Sequence, residues 1–201
     1  MDNKYVNRSK ISEAKFRELV KLFSLDLTAT QIAKLSGLNR NTVNRYIKGI
    51  RKRLAEYCEI TGPISDRVKS LRQWPDGELR YLGIIEKEGI VCVRLMDANT
   101  KIGDKNDVRD LKSKEMDVII DLKKDQKIWI EDRTRLQKNN RSKINRIDGF
   151  WGYAKSRLEK FKGIHSHTYF LHLKESEFRY NNNQDELYHL ILKIIRKHPL
   201  F

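Results

Sequence analysis

Between Thr30 and Tyr46 one short break, Gly37-Leu38-Asn39, separates two runs of helical spacing, and it narrows the folds open to this part of the chain. Ile32, Ala33 and Leu35 mark the inner face of the first run. Val43, Ile47, Ile50 and Leu54 mark that of the second, which extends from Arg40 to about Glu59. Thr28 or Thr30 is placed to cap the first helix and Asn39 the second. Gly37 suits a left-handed turn, which other residues enter at a cost. Ala33 is small where two crossing helices touch, and Leu38, Val43 and Ile47 lock them together. Upstream, Ile11, Phe16, Leu19, Val20, Leu22, Phe23 and Leu25 predict a further helix from Ser12 to Leu25, with Ser12 as its cap. Residues 1–60 thus read as a three-helix domain with a helix-turn-helix.

In such a motif the second helix presents polar side chains from its N-terminal half. Arg40, Asn41, Asn44 and Arg45 stand there. An arginine pairs with a guanine edge through two hydrogen bonds, and an asparagine does the same with adenine. Thr42 and Lys48 suit phosphate, and Arg51, Lys52 and Arg53 prolong the positive stripe. Charge agrees: the 201 residues carry a net +15, and residues 1–60 hold 13 Lys/Arg against 6 Asp/Glu, over twice the charge density of the remainder. A polyanion, double-stranded DNA first, is the expected partner. A generic three-helix bundle with a basic face is the plainer alternative.

The rest of the chain changes character. Residues 61–78 hold Gly62, Pro63, Pro75 and Gly77 among polar residues and read as a linker or disrupted segment. Leu79 to Glu86 and Ile90 to Met96 predict a β-hairpin turning at Gly89. Val118 to Leu122 and Ile128 to Ile130 predict short strands, and residues 131–146 a basic loop or exposed helix. Phe150 to Phe161, Thr168 to Tyr180, and a last segment capped by Asp185 and ended at Pro199 predict helices. Cys58 and Cys92 form no CxxC and read as ordinary buried residues. No apolar run approaches the ~18 residues of a membrane span, so a cytoplasmic protein without a membrane partner is expected.

Two stretches carry a resemblance. Asn145-Arg146-Ile147-Asp148-Gly149-Phe150-Trp151, followed by Ala154, Lys155 and Leu158, is similar to the pattern N-x-I-[E/D]-x-F-W-x-x-A-K-x-x-L. Leu173-Lys174-Glu175, followed by Phe178, Arg179 and Asn181, resembles L-K-E-x-x-F-R-x-N. Together they resemble the end of a bacterial insertion-sequence transposase of the DDE type. The resemblance implies a ribonuclease-H-like α/β domain over residues 79–201, so that the whole chain is a helix-rich α+β protein. It implies DNA strand cleavage and transfer with Mg²⁺ or Mn²⁺, acting at terminal inverted repeats, with a homodimer as a further expectation. It places Asn145, Asp148 and Lys155 in the third catalytic segment and makes Asp121 the second metal-binding aspartate, so that Asp121 and Asp148 would be metal ligands.

The family's first motif, Asp-Glu-x-Tyr-Phe-Gly, has no counterpart here, and residues 64–80 stand in its place. The domain is therefore expected to be incomplete and catalysis impaired, with DNA binding retained on the bacterial nucleoid. An alternative keeps the helix-turn-helix as the reader of a transcriptional regulator and makes residues 79–201 an oligomerisation or effector domain.

Overall fold

The computed structural model describes residues 3–8, 10–62, 81–96, 116–124, 126–130, 141–161, 164, 166–182 and 186–201. The expected linker over 61–78 lies outside them apart from Thr61 and Gly62, and so do residues 131–140 of the expected basic segment and the expected cap Asp185.

Three helices open the chain: α1 (Glu13–Ser24), α2 (Ala29–Ser36) and α3 (Arg40–Thr61). Their starts are fixed by side chains. Ser12 Oγ accepts from the Lys15 amide. Thr28 and Gln31 form a reciprocal capping box, and Asn39 accepts from the Asn41 amide. Gly37 ends α2 at φ 69°, the left-handed region anticipated for it.

β1 (Tyr81–Lys87) and β2 (Ile90–Leu95) form the hairpin, with Glu88 at φ 55° and Gly89 at φ 82°. Two positive φ values in a two-residue loop define the I′ turn that matches strand twist. β3 (Val118–Asp121) and β4 (Gln126–Trp129) complete a four-stranded sheet, antiparallel throughout, in the order β2-β1-β3-β4.

Helix α4 (Arg141–Glu159) begins nine residues before the expected Phe150. Ile144 and Ile147 extend the inward stripe of Phe150, Trp151 and Ala154, so residues 141–146 follow the helix alternative of the two expected, basic loop or exposed helix, with an apolar face turned inward. α5 (Ser166–Asn181) and α6 (Leu187–Lys197) follow.

One apolar cluster lies between the sheet and the helices, where Leu82, Ile84, Val91, Val93, Val118 and Ile120 meet Ile147, Phe150, Trp151 and Leu173. A second gathers α1, α2 and α3 around Phe16, Phe23, Ile32 and Ile47. It is completed by Leu187, Ile191, Leu192 and Ile195 of α6. The apolar core of the first three helices therefore does not close at residue 60: α6 supplies one of its walls.

Candidate functional site

The N-terminal half of α3 shows how its face is divided. At 100° per residue, Val43, Ile47 and Ile50 point inward, and each is at most 2% exposed. Arg40, Asn44, Lys48 and Lys52 form one outer ridge at intervals of four, with Asn41 and Arg45 beside it; all six are exposed. Thr42 is half-buried at the margin. Arg45 lies over the rings of Tyr46 and Phe201, 5.2 and 5.1 Å from their centroids, which limits its freedom without covering it. Arg51 departs from the expected stripe. Its Nε donates to Glu175 at 2.6 Å, its guanidinium lies over Phe161, and its side chain is only 14% exposed. The α3 stripe turns inward here because α5 packs against this half of the helix.

Helix α5 explains that packing. Residues Leu171 to Arg179 are all buried, charged ones included. Glu175 is the hub: it accepts from Arg51 and from Arg179 Nε (2.9 Å), and it pairs with Arg157 of α4. Burial pushes the Glu175 pKa upward, but Arg157, Arg51 and Arg179 more than reverse this and hold it well below the usual carboxylate range. Lys174 pairs with Glu177 at 2.9 Å and Glu59 at 2.5 Å. These carboxylates outweigh its burial and raise its pKa.

Arg179 donates to the carbonyls of Phe23 (2.6 Å) and Ser24 (2.9 Å) at the end of α1; the Phe23 carbonyl also accepts from the Asp26 amide at 3.0 Å. Arg157 also binds Asp26, just beyond α1, at 2.8 Å. On the opposite face of α5, Glu177 accepts from the Val93 amide at 2.9 Å. Asn181 pairs with both the Val91 amide (3.0 Å) and carbonyl (2.6 Å). These groups lie on the outer edge of β2, so two side chains of α5 occupy a strand edge that would otherwise offer itself for pairing.

The polar residues of the L-K-E-x-x-F-R-x-N stretch thus bolt the first three helices to the sheet. Sequence reasoning noted the apolar positions of this helix and missed the burial of its charges. The available signal was Lys174, Glu175, Glu177 and Arg179, two cations bracketing two carboxylates, set between the apolar residues Phe170, Leu171, Leu173 and Phe178.

The expected catalytic residues divide into two groups. Asn145, Asp148 and Lys155 fall within about 80° of one another around α4; Asn145 and Lys155 are exposed and Asp148 is half-buried. Asp148 forms an ion pair with Lys127 of β4. Lys127 opposes Ile120, whose side chain belongs to the apolar cluster under α4. Asp121 is 3% exposed and accepts from the amides of Lys123 (3.0 Å) and Lys124 (3.2 Å), closing the turn after β3. It opposes Tyr81, and strand alternation puts it on the face of Tyr81, Ile119 and Ile128, away from α4.

The sheet therefore stands between Asp121 and Asp148, and the pair does not fit a shared divalent ion. Among the described residues no group of three or more His, Cys, Asp or Glu is placed to hold a metal ion. Cys58 and Cys92 are buried, as expected; burial raises both thiols, Cys92 to about 12.

Over 61 residues the chain is 43% identical to an uncharacterized transposase-like protein of Haemophilus influenzae (strain ATCC 51907 / DSM 11121 / KW20 / Rd). The match covers 30% of this chain and spans about half the length of that curated relative. No family model and no solved structure matches the chain. Among the described residues no helix is long and apolar enough to cross a membrane.

Proposed function

We propose that this chain binds double-stranded DNA through the exposed face of α3 and is a transposase-related protein of an insertion sequence whose strand-cleaving chemistry is impaired. The observation that carries the reading is the ridge of Arg40, Asn44, Lys48 and Lys52, flanked by Asn41 and Arg45. It leaves a left-handed turn at Gly37 and lies at the more basic end of a +15 chain. The α2–turn–α3 unit acts as a helix-turn-helix, with Arg40, Asn41 and Asn44 facing base edges and Lys48 and Lys52 facing phosphates. Arg51 is assigned to holding α3 against α5 instead. Similarity to a transposase-like protein supports the family relation.

The sheet with α4 is read as the remnant of a ribonuclease-H-like domain, since Asn145, Asp148 and Lys155 share one stripe of α4. The impairment rests on the placement of Asp121 across the sheet from that stripe. Binding to terminal inverted repeats would put the protein on the bacterial nucleoid.

The test is a titration of duplex DNA with the wild-type protein and an Arg40→Ala, Arg45→Ala variant, followed by fluorescence anisotropy at several salt concentrations. The variant is expected to bind roughly ten- to a hundredfold more weakly, with a shallower dependence on salt. Equal affinity and equal slope would overturn the assignment of α3.

A further inference from the structure

Beside the exposed face of α3 runs an open groove of about 640 Å³, walled on one side by Arg8, Lys10 and Ile11 and on the other by Leu38 and the first turns of α3. Arg8, Lys10 and Arg45 line it, with Asn41 and Thr42 between them, and no carboxylate is among the described residues lining it. We propose that this groove seats a phosphodiester strand of the bound duplex, with Arg8 and Lys10 as backbone contacts next to the reading face. The inference rests on the DNA-binding reading given above and adds a second element to it.

Three observations converge. The groove is continuous with the α3 face, because Asn41 and Arg45 belong to both. Arg8 and Lys10 are exposed, three and one residues ahead of the buried-edge residue Ile11, and bring two cations to the wall facing Arg45.

The segment that carries them is also held in place. Val6 bridges Leu200; the Asn7 amide donates to the Leu200 carbonyl and the Leu200 amide to the Tyr5 carbonyl, each at 2.9 Å. Asn7 Nδ2 donates to the Phe201 carbonyl at 3.0 Å, and the Phe201 ring lies 5.1 Å from the Arg45 guanidinium. Leu200 and Phe201 thus tie both walls together through the backbone of residues 5–7 and the Arg45 guanidinium, so a phosphate between them meets cations carried on elements already in place. A phosphodiester rather than a base edge is the occupant because Arg8 and Lys10 lie off the helix that would enter the groove of the duplex, and cations there meet the backbone first.

The experiment replaces the two charges with neutral polar side chains: Arg8→Gln with Lys10→Gln in the full chain. Its affinity is measured against a duplex carrying the ends that flank this gene and against a scrambled duplex of equal composition, over a salt series. The expected result is weaker binding to both duplexes by the same factor, with the log–log salt slope shallower by about 1.8, or roughly 0.9 for each phosphate no longer neutralised. Unchanged affinity and slope in a protein whose wild type binds, and whose Arg40→Ala, Arg45→Ala variant binds more weakly, would overturn the groove while leaving the α3 assignment intact. A loss confined to the flanking-end duplex would also overturn it, since a backbone contact does not discriminate sequence. A wild type that binds neither duplex would overturn both readings.

Discussion

At the scale of single residues, His172 reports on how completely α5 is buried. It is 7% exposed, stacks at 4.8 Å on Phe161, and its Nδ1 has no hydrogen-bond partner among the described residues. Burial first, and the neighbouring Arg51 and Arg157 cations second, lower its pKa to about 3. An unfolded histidine titrates near 6.5, so between those values the unfolded chain binds the extra proton. The neutral imidazole therefore stabilises the fold above about pH 6.5, and that contribution is lost progressively as pH falls towards 3. From pH 7 to pH 5 the loss is about 2 kcal/mol, in a window where Glu175 stays ionised. Urea midpoints measured across that range should fall for the wild type and stay nearly flat for His172→Gln. Parallel curves would show that His172 is protonated in the folded protein.

At the scale of elements, the turn into α3 carries the most weight. Gly37 stands at φ 69° with open space where a side chain would go, so a replacement suffers from backbone strain and not from collision. Gly37→Ala should lower stability by roughly 1 kcal/mol, and Gly37→Asn by less, because Asn tolerates this conformation. Chemical denaturation measures both; an alanine variant as stable as the wild type would contradict the left-handed turn.

This was the most legible part of the sequence. Caps at Ser12, Thr28 and Asn39 and the break at Gly37 are local signals, and so is the hairpin at Gly89. The start of α4 was not legible, because Arg141, Lys143 and Arg146 mask the two inward residues Ile144 and Ile147. Nor was the fate of Arg51. Its partner Glu175 is 124 residues away, and no local pattern distinguishes an arginine facing phosphate from one facing a buried carboxylate. The same limit applies to Asp121 and Asp148. The resemblance aligned each with a catalytic position, but which face of the sheet each occupies depends on strand register.

At the scale of the whole molecule, the ends of the chain meet. α6 packs on α1 and α3, and Val6 bridges Leu200. The α3 surface is consequently backed by a scaffold drawn from both halves of the sequence, and α5 couples that scaffold to the sheet through Glu175, Glu177 and Asn181. Removing one partner of the buried Arg51–Glu175 ion pair should cost about 3–5 kcal/mol. The sheet, whose central strand β1 is flanked by β2 and β3, keeps its β2 edge covered. A chain lacking the first catalytic motif of the family it resembles thus has a packed sheet and an exposed, firmly backed α3 face.

The most direct measurement is a gel assay of the intact protein with end-labelled duplex carrying the sequences that flank its gene, in Mg²⁺ and then in Mn²⁺. A retarded duplex that stays intact in both metals is the predicted result. Metal-dependent nicking at the repeat ends would contradict the separation of Asp121 from Asp148, and a duplex that is never retarded would contradict DNA binding itself.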